Sequence, residues 1–257
     1  MKHNRLVWPG VGLVVCTMVA TGFLLGCGPN QVKTTAAAAC SQAAIVAAER
    51  GTPFLNPDAA SIAVPQGEPP IVATVNGQPI TAARLEMMVQ DALYTEQTTL
   101  ASLGAGVPPT VQAQLTRSPA TLRRLLLTQL IDNALWVSQG QHAGQYASVA
   151  TAQKQLKQSV ALSHSTPVTS PAHVQFVAFL CVNHLTEASY QTDPRVVQTM
   201  RNALTIAAVK AHVRSMLPLA QQNDPASVKI AENSYVQSLW SKNRVKIFLP
   251  GFIALRM

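Results

Sequence analysis

Charge is scarce in this sequence. Only 12% of its 257 residues are Asp, Glu, Lys or Arg, which excludes a chain kept open by self-repulsion and lack of apolar surface. Glycine is missing over a long interval: none occurs between Gly144 and Gly251, so nothing there supplies the φ > 0 positions that tight hairpins require. That interval is expected to consist of helices joined by short Pro-containing links. No glycine-rich loop that could cradle phosphates is present, so no nucleotide site is expected. Aromatic residues make up only 5%, and the Lys and Arg are scattered rather than interleaved with them, which argues against a nucleic-acid surface. The net charge of +8 falls by two once Lys2 and Arg5 are assigned to a removable segment. Lys242, Arg244 and Lys246 are the densest basic group and read as a solvated face.

The first 27 residues are of another kind. Lys2, His3 and Arg5 precede an almost wholly apolar run from Leu6 to Leu25, which ends at Leu24-Leu25-Gly26-Cys27. A basic start, an apolar middle and a small residue before the cut is the order of an export signal. The cysteine after the cut resembles the lipobox of bacterial lipoproteins, in which that thiol is acylated and becomes the mature amino terminus. Leu24 and Gly26 match the preferred types, while Leu25 is less usual at its position. An uncleaved anchor is the competing reading, since the run nearly reaches the ~20 residues of a span. Pro9, Gly10 and Gly12 weaken such a helix. Either reading predicts an extracytoplasmic body held at the cell membrane, by lipid on Cys27 in the favoured case. Residues 28–70, dominated by Ala36–Ala39 and by Pro53, Pro57, Pro65, Pro69 and Pro70, read as a flexible tether.

The folded part, 71–257, begins with Ile71 to Gln90. Asn76-Gly77 between Val72, Val75 and Ile80 predicts a type I′ hairpin over 71–80. Thr81 can cap the helix that follows, whose Leu85, Met88, Val89, Ala92 and Leu93 recur on one face. Gly104, Gly106, Pro108 and Pro109 mark a loop or broken helix between Leu100 and Thr116. Ser118-Pro119 starts a helix running toward Gly140 and Gly144, apolar on two faces and therefore expected to be central. A weaker helix is expected over 150–162. Ser170-Pro171 opens a pattern extending to Leu185 and Ala188, Asp193-Pro194 one that stops before Pro218, and Asp224-Pro225 the last. Val245 to Leu249 reads as a strand, and the hairpin is the only sheet available to it. The expected fold is mainly α: a bundle of about five helices with a small antiparallel sheet made by the hairpin (71–80) and the terminal strand (245–249).

VATVNGQPITAARLEMMV, followed by LRRLLLTQLIDNALWVSQG, resembles the amino-terminal chaperone domain of the SurA and PrsA group of extracytoplasmic foldases, and SYVQSLWSKNRVKIFL resembles that group's closing helix and strand. The likeness covers 71–144 well and 193–249 loosely. Arg84 departs from it, standing where an acidic residue would complete a capping box with Thr81. The group commonly carries parvulin domains, which isomerise X-Pro bonds; neither 218–223 nor 145–192 has room for one, so the resemblance implies a chaperone module without the isomerase.

His173, Cys181 and His184 fall within twelve residues, but a fourth ligand for zinc is wanting and Cys181 lies on an apolar stripe, so neither a metal centre nor a Cys-His nucleophile is expected. With Cys16 cleaved away and Cys27 acylated, Cys40 and Cys181 remain, and an oxidising compartment permits a disulfide between them. Glu86, Asp91 and Asp132 read as solubilising carboxylates rather than general acids. No catalytic residue and no cofactor is expected. For a chaperone the useful groups are apolar and adaptable, and Met87, Leu125 and Trp136 are the candidates for a client-binding surface, with plain core as the alternative role for each. The expectation is a membrane-tethered, ATP-independent chaperone for unfolded exported polypeptides. The alternatives are a prolyl isomerase with an unrecognised site and a dedicated adaptor lipoprotein of an envelope complex.

Overall fold

A computed structural model describes residues 64–103, 117–168 and 170–249. Strands β1 (Ile71–Val75) and β2 (Gln78–Thr81) form the hairpin, and among the described residues seven helices follow: α1 (Ala82–Leu103), α2 (Pro119–His142), α3 (Val149–Ser165), α4 (Pro171–Val182), α5 (Glu187–Tyr190), α6 (Pro194–Ser215) and α7 (Pro225–Lys242). Strand β3 (Val245–Ile247) closes the order. The signal segment, Cys27 and Cys40 lie outside the described residues, and among the described ones no helix is long and apolar enough to cross a membrane.

The sheet is antiparallel in the order β2-β1-β3, so the two ends of the folded part meet as expected. Ala73 faces Ile247 and Val75 faces Val245. The turn has the left-handed backbone of a type I′ hairpin, with φ of 51° at Asn76 and 84° at Gly77. Its asparagine does more than turn the chain. Asn76 Nδ2 donates to Ser138 Oγ (2.9 Å) and Asn243 Oδ1 (2.8 Å), its Oδ1 accepts from the Arg244 amide (3.1 Å), and its own amide donates to the Arg244 carbonyl (2.9 Å). One side chain thus holds the hairpin to α2 and to the junction of α7 with β3. A bulge between Ile71 and Ala73 leaves both Val72 and Ala73 fully buried, which strict alternation would not allow.

The helix starts follow the capping chemistry. Ser118, Ser170, Asp193 and Asp224 each precede a first-turn proline and accept amide hydrogens from that turn. Ser148, whose side chain accepts from Thr151 N at 3.1 Å, starts α3 one residue before the expected 150. Thr81 Oγ1 accepts from Arg84 N at 3.2 Å.

Several boundaries differ from the sequence reading: α3 extends to Ser165 rather than 162, and β3 stops at Ile247 rather than Leu249. Helix α1 continues past Leu100 to Leu103, and α2 runs through Gly140 to His142. The pattern from Ser170 stops at Val182 instead of reaching Ala188. There His184 takes φ of 54°, Leu185 N donates to Leu180 O (2.8 Å) and His184 N to Cys181 O (3.2 Å), a Schellman termination with histidine in the place glycine usually holds. Thr186 and Ser189 then open α5 with reciprocal capping bonds. The left-handed position that glycine's absence was expected to forbid is supplied by a side chain that tolerates it better than most.

Helix α2 is central, touching α1, α6, α7 and β1. Two apolar cores result. The first gathers Val72, Val75, Ile80, Leu85, Leu127, Ile131, Leu135, Trp136, Val209 and Leu239 from the sheet, α1, α2, α6 and α7. The second gathers Leu156, Val160, Leu180, Tyr190, Val196, Val197 and Met200 from α3 to α6, with Phe176 and Phe179 edge-on to Tyr190 at 5.2 and 5.9 Å. Helix α6 runs through both.

Candidate client-binding cleft

Between α1 and α2 lies a cleft of about 460 Å³, lined by Ala92 and Glu96 of α1, Leu122, Leu125, Leu126 and Gln129 of α2, and Arg117 just before α2. The residues follow from helical spacing: Leu122, Leu125, Leu126 and Gln129 lie three or four apart and share a face. Leu122 is buried at the floor, while Leu125 and Leu126 are half-buried on the wall. Glu96 and Arg117 add a charged group at the cleft, 3.7 Å apart, with the Arg117 amide donating to Glu96 Oε2 at 3.1 Å. The lining is thus a leucine wall beside one ion pair, a mainly apolar surface with a few polar groups.

Of the three candidates read from the sequence, Leu125 lines this cleft and Met87 is half-buried on α1. Trp136 is buried instead, 4% exposed, so its place is in the first core and not on an open surface. It stacks on Tyr235 of α7 with centroids 5.4 Å apart, and Lys210 Nζ lies 5.6 Å above its ring while pairing with Glu232 at 2.7 Å. Nearby, Trp240 Nε1 donates to Asp132 Oδ1 at 2.6 Å. Burial pushes the Asp132 carboxyl above its ordinary range, and the Trp240 hydrogen bond and the Lys210 charge pull the other way. Asp132 thus fastens α2 to α7 instead of merely solubilising its helix.

The sequence reading missed the group at the base of the two helices. Arg123 of α2 donates through Nε to Glu86 Oε1 of α1 (2.5 Å) and pairs through Nη1 with Glu68 Oε1 at 2.7 Å. Glu86, counted above among solubilising carboxylates, is 7% exposed. Glu68 belongs to the stretch assigned to the tether, so the segment immediately before β1 is fixed to both helices by one guanidinium. A turn closed by Glu68 N to Pro65 O at 3.2 Å, with Gly67 at φ of 86°, aims Glu68 inward. The signal was present in the sequence only as three separate charges; their convergence depends on the hairpin's placement against α2.

Cys181 is disulfide-bonded, and so presents no thiolate to a metal or a substrate. The other half of the expected pair, Cys40, lies outside the described residues. His173 Nδ1 lies 3.1 Å from Ser163 O and His184 is exposed at the left-handed turn. Among the described residues no three His, Cys, Asp or Glu side chains converge in a way that could hold a metal ion.

No family model matches the chain, and neither a curated protein nor a solved structure matches it. The likeness to the SurA and PrsA group therefore rests on the quoted residues.

Proposed function

We infer that the chain is a membrane-tethered, extracytoplasmic chaperone that works without ATP and holds unfolded exported polypeptides through apolar helix surface. The observation that carries this reading is the leucine-walled cleft between α1 and α2, open to solvent and large enough to accept apolar side chains from an extended segment. Unfolded chains aggregate through such side chains, and covering them transiently needs neither nucleotide nor catalysis. The signal-like start and Cys27 support a body held by lipid where exported chains emerge.

The test is suppression of aggregation of several unrelated unfolded proteins by residues 28–257, a span that contains the whole described fold. Leu125→Glu puts a charge on the cleft wall at a half-buried position. It is expected to weaken client binding about tenfold, roughly 1.4 kcal/mol, while helical content and the unfolding midpoint stay close to those of the parent. A chain that suppresses aggregation of none of these clients overturns the reading. Capture of one protein in fixed ratio, rather than many in small amounts, would make it an adaptor.

A further inference from the structure

The basic residues near the carboxyl terminus converge on one edge of the molecule. Lys242 ends α7, Arg244 and Lys246 follow at alternate positions through β3, and all three are exposed. Phe248 continues the same alternation and is 47% exposed, although its amide donates to Val72 O at 2.8 Å. Val245 and Ile247 point the other way, packed against the first core. The sheet order puts β3 at an edge, with no described strand on its outer side.

Among the described residues none of the three bases is in an ion pair. The nearest acids on α2 and α7 are engaged elsewhere: Asp132 accepts from Trp240 Nε1 at 2.6 Å and Glu232 pairs with Lys210 at 2.7 Å, while residues 71–81, 133–142 and 233–249 contain no Asp or Glu. The described amino-terminal segment leads into β1, the strand to which β3 is paired. A coil the length of residues 28–63 spans roughly 33 Å r.m.s., so a lipid on Cys27 would keep this edge near the headgroups.

We propose that the β3 edge, through Lys242, Arg244, Lys246 and the exposed Phe248 ring, binds the anionic lipid surface of the membrane that holds the chain. The proposal rests on the tethered reading given above. Each basic residue at an anionic surface adds about fivefold to the partition, and an aromatic ring at the headgroup level adds an apolar contact. Such a contact is weak alone and effective when an anchor raises the local concentration. It would fix which side of the body faces the bilayer and so where the α1–α2 cleft points.

The full chain, purified with its native amino-terminal processing, is placed in vesicles of phosphatidylcholine alone or with about one-third phosphatidylglycerol, a composition chosen to mimic an anionic leaflet. Mass spectrometry reports whether Cys27 is acylated, and an amine-reactive label reports the accessibility of each lysine. Lys242 and Lys246 are expected to label at least about fivefold more slowly on the anionic vesicles only. The protection should vanish in high salt and, at Lys242, in Arg244→Glu/Lys246→Glu. Lys154 and Lys157, exposed on α3, should label alike throughout. Equal labelling of Lys242 and Lys246 on both vesicle types overturns the proposal. So does protection by polyglutamate without protection by anionic vesicles, which would assign the edge to an acidic polypeptide. An unacylated Cys27 would count against the tethered reading separately, and the lysine pattern on added anionic vesicles would still decide the surface.

Discussion

At Gly140 the missing side chain is what lets α2 and α6 touch. A Cβ at that position would lie 2.1 Å from Thr205 Cγ2 and 3.2 Å from Val209 Cγ2, far inside contact distance for the first. Thr205 is itself fully buried and fully occupied, its hydroxyl donating to Arg201 O (2.7 Å) and accepting from Ala147 N (3.1 Å). Alanine normally favours a helix over glycine by about 1 kcal/mol. Here the clash should outweigh that gain, and Gly140→Ala is expected to lower stability by about 1–3 kcal/mol. Thr205→Ser in the same chain removes Cγ2 and keeps both hydrogen bonds, so the double variant should recover most of the loss. Urea unfolding of the parent, the two single variants and the double variant gives the coupling directly; a Gly140→Ala chain as stable as the parent would mean that the helices do not cross this closely. The sequence shows this glycine as a stop signal because, within one chain segment, a glycine needed for close approach looks the same as one needed for a turn. Gly144, four residues on with φ of 67°, is the one that ends the helix.

Among the elements, the hairpin was legible early and its fastening was not. Asn-Gly between β-branched residues specifies a type I′ turn from local sterics alone, and an apolar terminal strand with no other sheet to join predicts its pairing with β1. The helix starts were equally plain, since a capping side chain followed by proline is a local event. What could not be read was anything depending on two distant segments at once: Asn76 against Ser138 and Asn243, Arg123 against Glu68 and Glu86, or the meeting of α1 and α2 residues around the cleft. Leu125 and Trp136 both stand off the main stripe of α2, but Leu125 lines the cleft while Trp136 is covered by Tyr235 of α7. Two substitutions at the turn separate its roles. Asn76→Gly keeps the positive φ and loses the side-chain bonds, and should cost about 1–3 kcal/mol. Asn76→Ala loses the same bonds and adds the strain of a Cβ in the left-handed region, a further ~1–2 kcal/mol. If the two variants unfold at the same denaturant concentration, the turn is not held in the left-handed region.

For the molecule as a whole, the issue is whether two apolar cores behave as one. Helix α6 contributes Val196, Val197 and Met200 to the second core and Val209 and Val213 to the first, with Thr205 seated against Gly140 between them. Packing of that kind transmits strain, since neither half of the helix can shift without moving the other. The tryptophans provide a one-sided reporter: Trp136 and Trp240 both belong to the first core, and the remaining one, Trp8, lies in the signal-like segment. Met200→Ala empties space in the second core only, at a position 3% exposed, and should cost about 2–5 kcal/mol. If α6 binds the cores into one cooperative unit, the tryptophan fluorescence transition of residues 28–257 moves to lower denaturant by that amount, in step with the loss of helical circular dichroism. A fluorescence transition left in place while the helical signal melts earlier would show that the α3–α5 unit unfolds by itself. In that event the sheet, α1, α2 and α7 would keep the cleft intact without the second core, and the two parts could serve separate roles.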